Sequence, residues 1–223
     1  MGKNYRQFCG LAKASSVLGE RWALLIVRDL SVAPRRFKDL HEGLAGIPTS
    51  VLTARLRDLQ EAGVVERSAS ELPGGGVFYK LTAQGQELAP ILDALGRWGA
   101  KNMAIPGPDD VITDTSLAAA LRSGYQPSAK PARYMVQAGS AQAWVEVTPH
   151  QVTVGAGAPE FTPDLTIHSG PELRLLLAGR LTPSAALSSG AIRIDGPTEV
   201  FERFAQAFHV PLADNPKPHS FAT

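Results

Sequence analysis

Within one short stretch, Thr49, Ser50, Thr53 and Arg57 have side chains suited to contacts with a nucleic-acid duplex. A guanidinium forks onto guanine or grips a phosphate, and hydroxyls reach phosphates or base edges. Their spacing gathers them on one side of a helix. Leu52, Leu56 and Leu59 recur at i, i+4, i+7, which predicts a helix from Pro48 or Thr49 to about Ala62 with that stripe in the core. At about 100° per residue, Ser50, Ala54, Arg57 and Glu61 lie opposite, with Thr53 on the flank. Arg55 lies nearer the buried side and is read as a phosphate contact or an intramolecular ion pair. Arg35, Arg36 and Lys38 cluster just upstream, at a helix start, where cations and a helix N-terminus both favour phosphate. A solvated helix start is the plain alternative. Residues 35–67 hold six Lys and Arg against five Asp and Glu, so charge alone does not decide.

Other chemistries find little footing. His41, His150, His168, His209 and His219 are scattered, without a second ligand at metal spacing. Ser188-Ser189-Gly190 has no partner pattern for a nucleophile, and no glycine-rich phosphate loop follows a strand. The expectation is a protein that is not an enzyme and holds no cofactor or metal. One cysteine, Cys9, excludes an internal disulfide framework. No apolar run approaches the roughly 20 residues that span a bilayer, and no secretory signal is visible, so a cytoplasmic protein without a membrane partner is expected.

The elements that position the first cluster follow from periodicity and breakers. Helices are expected at about 9–19, 21–31, 36–43, 49–62 and 83–101. Pro34 stops the second, Leu44-Ala45-Gly46-Ile47-Pro48 forms a turn, and Gly63 ends the fourth in a left-handed cap. Strands at 64–68 and 77–81, joined through Pro73-Gly74-Gly75-Gly76, make a hairpin. Helix–turn–helix plus hairpin is the order of a winged helix. In the last helix Leu88, Ile91, Leu92, Leu95 and Trp98 make an apolar face long for this size of domain, suited to a partner subunit.

Net charge over the 223 residues is +1, but the halves differ: 14 Lys and Arg against 10 Asp and Glu in 1–103, then 8 against 11. Ile105-Pro106-Gly107-Pro108-Asp109-Asp110 reads as a linker between them. The division expected is 1–103, a linker at 104–114, a second domain at 115–213 and a flexible tail at 214–223.

Several linked motifs of the first domain resemble the HxlR-type branch of winged-helix transcription regulators. They are Gly19-Glu20-Arg21-Trp22-x-Leu24-Leu25-Ile26-x-Arg28-Asp29-Leu30, Arg36-Phe37-x-Asp39-Leu40, Leu44-x-Gly46-Ile47, Leu52-Thr53-x-Arg55-Leu56-x-Asp58-Leu59 and Tyr79-x-Leu81-Thr82-x-x-Gly85. The resemblance covers about 8–100. It implies a homodimeric, cytoplasmic, prokaryotic regulator that binds double-stranded DNA at a two-fold operator, with its first and last helices at the dimer interface. The chain departs from the pattern at the wing tip, Glu71 to Gly76, which lacks a basic residue. A cysteine near the start of the first helix implies oxidant or electrophile sensing in some members. With no second cysteine, Cys9 is left an intersubunit pair or an adduct; a small packing residue is the plain alternative.

In the second half a helix at about 115–123 precedes strands at 132–138, 142–148, 151–155 and 164–168. Helices at 171–179 and 183–188, a strand at 191–194 and an amphipathic helix from Pro197 follow. The reading is α+β. Asp164-Leu165-Thr166-Ile167, Leu176-x-x-Gly179-Arg180-Leu181-Thr182-Pro183 and Gly190-Ala191-Ile192-Arg193-Ile194-x-Gly196 resemble the sterol-carrier-protein-2 domain over about 130–208. That implies an antiparallel sheet with helices on one side and a tunnel for acyl or sterol-like molecules, lined by residues such as Leu176, Leu177, Phe201 and Phe204. Their spacing is also plain helical core spacing, and filling a core is the alternative reading. The composite expectation is a regulator whose second domain senses a small apolar ligand. The alternative is a lipid carrier whose helical domain only mediates protein contacts.

Overall fold

The computed structural model describes residues 5–69, 76–104, 106–107, 109–127, 130–214 and 216. The glycine turn of the hairpin (70–75) and most of the expected tail lie outside them. The chain forms two compact units, Met1–Leu92 and Asp93–Thr223.

In the first unit, α1 (Gly10–Leu18) and α2 (Ala23–Val32) precede β1 (Arg35–Arg36), α3 (Phe37–Gly43), α4 (Thr49–Glu61), β2 (Val65–Ala69), β3 (Val77–Leu81), α5 (Ala83–Gln86) and the start of α6 (Ala89–Ala100). The sheet order is β1-β3-β2, antiparallel throughout. Its core joins Ile26, Val27 and Leu30 of α2 to Leu40, Leu44, Ile47, Leu52, Leu56, Leu59, Val64, Val65 and Leu81.

Two local expectations are refined. Arg35 and Arg36 form a short strand whose residues face Tyr79 and Phe78 of β3, and the expected helix begins at Phe37 with Arg36 as its N-cap, the Arg36 amide donating to Asp39 Oδ2 at 3.1 Å. Pro34 is the cause of the strand, because the residue before a proline is driven out of the helical region, and Ala33 is extended at φ −162°, ψ 159°. The helix expected over 83–101 is two helices, α5 and α6. Pro90 has no N–H to give the Gln86 carbonyl, so a continuous helix cannot pass and a new one starts around it.

The junction after the hairpin shows why its motif has those residues. Gly63 takes φ +73°, the expected left-handed cap. The Thr82 hydroxyl donates to the Gly63 carbonyl at 2.6 Å and accepts from the Gly85 amide at 3.0 Å, capping α5. Gly85 then lies so close to the Val64 carbonyl that a β-carbon there would collide with it. Asp29, buried on α2, accepts from Arg28 Nε at 2.8 Å. Burial raises its carboxyl above the usual carboxylate range, against the opposing charges of Arg28 and Arg35.

In the second unit, α7 (Asp114–Gly124) begins with reciprocal Thr113–Ser116 capping bonds. Then come β4 (Ala132–Ala138), β5 (Ala141–Val147), β6 (Val152–Ala156), β7 (Leu165–Ser169), α8 (Glu172–Leu177), α9 (Pro183–Ser188), β8 (Ile192–Asp195) and α10 (Thr198–Ala207). The strand order is β6-β5-β4-β7-β8. The sheet is not wholly antiparallel as expected: β7 pairs with β4 in parallel. After β6 the chain crosses to the far side of β4, and that crossover brings β7 in along the same direction as β4.

Alternation divides this sheet into two faces. Tyr134, Val136, Val145, Leu165 and Ile167 are buried, whereas Arg133, Gln137, Trp144 and His168 between them are at least partly exposed. Tyr134 meets Phe204 and Phe208 of the closing segment at ring-centroid distances of 5.2 and 5.8 Å. The C-terminal half of α6 is tied into this unit. Arg122 forks onto Asp93 at 2.9–3.1 Å, and Arg97 donates to the Ser123 carbonyl. Arg174 donates to the carbonyls of Ala100, Met103, Val210 and Pro211 at 2.7–2.9 Å, and its burial lowers its pKa. The division between units therefore falls within α6, and the segment read as a linker belongs to the second unit.

Gly85→Ala should lower the unfolding free energy of the chain by roughly 1–3 kcal/mol in urea denaturation, because backbone must move to admit the methyl group. Gly96→Ala, on α6 with nothing near its added β-carbon, should be neutral or stabilise by up to about 1 kcal/mol. Equal effects at both sites would refute the close-approach account.

Candidate nucleic-acid interface

The site is built on α3, its following turn and α4. Phe37 and Leu40 fix α3 to the core, and Gly46 at φ +84° turns the chain between Leu44 and Ile47, whose amide bonds the Leu44 carbonyl at 3.0 Å. Pro48 then pre-sets the entry of α4 and its carbonyl accepts from Leu52 N. Leu52, Leu56 and Leu59 are fully buried. Thr49, Ser50, Thr53 and Arg57 consequently emerge together on the exposed side of α4.

Their hydrogen-bonding states differ. The Thr53 hydroxyl donates to the Thr49 carbonyl at 2.8 Å, so its proton is used within the helix and its lone pairs face out. Thr49 Oγ1 lies 3.3 Å from His41 Nε2. Arg57 is 68% exposed, and its nearest carboxylates, Asp58 and Glu61, stand at 3.9 and 3.8 Å. Those exposed contacts are too long to hold its guanidinium against a better acceptor.

Arg55 is placed differently. Its Nη1 lies 3.1 Å from Asp58 and 3.6 Å from Glu20, which ties α4 to the turn between α1 and α2. These contacts form an intramolecular ion pair on the inner edge of α4. Lys38 is exposed at the start of α3, 3.7 Å from Glu42. Arg36 is exposed with its guanidinium 5.0 Å over the Phe78 ring, while Arg35 is half-buried. Cys9 is exposed and occupies the N-cap of α1. Leu176, Leu177, Phe201 and Phe204 are all buried in the second unit.

Sequence reasoning missed two residues. His41 stacks on Phe37 with 6.4 Å between ring centroids and holds the Thr49 hydroxyl; the i, i+4 spacing from Phe37 was the available signal. Arg67, exposed on β2, lies 5.8 Å over the Tyr79 ring; its cross-strand pairing with Tyr79 was knowable only from the hairpin register. Among the described residues no group of three or more His, Cys, Asp or Glu is placed to hold a metal ion, and no helix is long and apolar enough to cross a membrane.

The HxlR-like helix-turn-helix family model matches residues 17–105. An uncharacterized HTH-type transcriptional regulator of Synechocystis is 36% identical over 93 residues, 41% of this chain and 68% of that protein. The uncharacterized HTH-type transcriptional regulator YvaP of Bacillus subtilis is 35% identical over 89 residues, 40% of this chain and 82% of its own length. Among solved structures, the reduced form of the transcriptional regulator YodB from B. subtilis aligns at 30% identity over 43% of this chain and 94% of that one, with a TM-score of 0.38. The helix-turn-helix lies within the residues that the family model matches, and the two regulator relatives are at least 35% identical over more than two thirds of their own length: the chain belongs to the HxlR-like helix-turn-helix family.

Proposed function

We propose that the chain is a DNA-binding transcription regulator that acts as a homodimer on a two-fold operator. The observation that carries this reading is the exposed face of α4, where Ser50, Thr53 and Arg57 stand clear of a helix fixed to the core by three leucines. On this reading α4 enters the major groove, Arg57 forks onto a guanine or a phosphate, and the hydroxyls of Thr49, Ser50 and Thr53 contact base edges or phosphates. Arg36 and Lys38 grip phosphate beside the α3 N-terminus. Arg55 orients α4 through Asp58 and Glu20, and Arg35 supports the hairpin. The relatives named above carry regulator names, which favours this reading over a lipid carrier.

The dimer reading rests on apolar surface. Helix α6 turns Leu92 to the core, as Leu88 does just before it, but leaves Ile91, Leu95 and Trp98 exposed at i, i+4, i+7, and Phe8 and Leu11 are exposed near the start of the described residues. Pairing of the first and last helices of two copies covers both. It would also bring two Cys9 thiols within one assembly, the setting for an intersubunit redox contact.

For the second unit we infer a sterol-carrier-protein-2-like module that senses a small apolar ligand. Helices over one face of its sheet, with Leu176, Leu177, Phe201 and Phe204 turned inward, support that reading.

Gel-shift titration with the DNA flanking the chain's own gene tests the first proposal. Sequence-specific, salt-sensitive binding is expected, weakened by roughly 1–3 kcal/mol in Ser50→Ala and in Arg57→Ala. Lys38→Ala should weaken all sequences alike and reduce the salt slope by about one. Absence of specific binding by the pure protein overturns the regulator reading. Sedimentation tests the dimer: Leu95→Glu with Trp98→Glu should yield monomer, and an unchanged mass would place the interface elsewhere. Native mass spectrometry of freshly purified protein should reveal a bound apolar adduct; if none appears and no lipid raises the melting temperature, the apolar-ligand reading fails.

A further inference from the structure

We propose that the second unit binds a small carboxylate on the open face of its sheet, opposite the helix-covered core. A pocket of about 290 Å³ lies there, lined by Gln137, Gly139, His168, Ser169, Gly190 and Arg193 among others. That volume sits at the lower end of the roughly 300–1,000 Å³ typical of small-molecule sites, which limits the occupant to a small molecule. The proposal does not rest on DNA binding, and its failure would leave that reading untouched.

Register explains why these groups converge. Gln137 of β4 pairs with His168 of β7, and His168 pairs with Arg193 of β8, so one row across three strands presents an amide, an imidazole and a guanidinium on the same face. The imidazole is fixed at both ends: Nδ1 lies 3.2 Å from Gln137 Oε1, and Nε2 lies 2.8 Å from Asp195 Oδ2. Asp195 is the nearby carboxylate that would repel an anion, and it is engaged by His168.

The donors around the pocket are underused. Arg193 is exposed and has no hydrogen-bond, ion-pair or ring partner among the described residues. The Gln137 amide donates only to the Gly139 carbonyl, at 3.5 Å, and the Ser169 hydroxyl only to the Gly170 carbonyl, at 3.3 Å. Both are long against the 2.7–3.0 Å usual for such bonds. One planar cation flanked by two neutral donors matches a carboxylate, which takes a bidentate guanidinium contact with further bonds at its remaining lone pairs. A phosphate dianion calls for more positive charge than one arginine beside an aspartate provides.

Proton–nitrogen NMR titration of the full chain with benzoate, at constant ionic strength, tests the site. The expected result is saturable shifts of the Gln137 side-chain amide and the Gly139, Ser169 and Gly190 backbone amides. Arg193→Gln should weaken binding about tenfold, consistent with loss of one charge-assisted contact. Ser169→Ala should weaken it less, and Lys130→Gln, an exposed cation elsewhere in the unit, should not. Neutral benzamide should produce no saturable shifts. Shifts that grow linearly without saturation, shifts unaffected by Arg193→Gln, equal weakening by Lys130→Gln, or binding of inorganic phosphate in preference to benzoate would each overturn the proposal. The spectrum of each variant reports its folding directly.

Discussion

Burial of Leu52, Leu56 and Leu59 against α2 and the hairpin is the constraint on which the first unit turns. A helix has one rotational degree of freedom about its axis, and three leucines at i, i+4, i+7 remove it. Once they are buried, Ser50, Thr53 and Arg57 have no choice but to face outward, and Arg55, about 40° from Leu59 at the stripe's edge, lands beside Asp58 and Glu20. The same constraint explains why α4 keeps its aim although its exposed groups make few internal bonds. Its position is set from the core side, which leaves the outward side chains available to a ligand.

The rest of that unit serves to hold the constraint in place. Gly46 and Pro48 set the entry of α4, and Gly63 with Thr82 sets its exit into the hairpin. Gly85 lets α5 close against Val64 without a side chain between them. His41 adds a polar tie from α3 to the first turn of α4. Each is a local device, and together they determine how accurately a handful of exposed donors can be presented. That economy suits a chain with a net charge of only +1, which cannot hold DNA by bulk attraction.

The second unit shows the complementary use of periodicity. In a strand, neighbours point to opposite faces, so the sheet that buries Tyr134, Val136 and Ile167 must expose Arg133, Gln137 and His168. The apolar face meets Phe204 and Phe208 and supplies the cohesion of the fold. The polar face owes the fold much less, and polar groups there can be arranged for a ligand.

How much of this was legible in the sequence follows from the range of the forces involved. Short-range signals were sufficient for the leucine stripe of α4, the left-handed Gly63 and the strands from Ala132 to Ser169, because steric limits and side-chain periodicity act within a few residues. They were also enough to anticipate which side of α4 faces solvent. Pro34 and Pro90 were equally local signals, but their effects, a strand at Arg35–Arg36 and a break before α6, depend on what the freed chain can pair with or pack against. Only the tertiary structure decided that Arg55 is spent on an ion pair, that β7 lies parallel to β4, and that Gln137, His168 and Arg193 share one row. Those facts join residues distant in sequence, and pairing register between distant strands is set by the packing of the whole sheet, not by any segment alone.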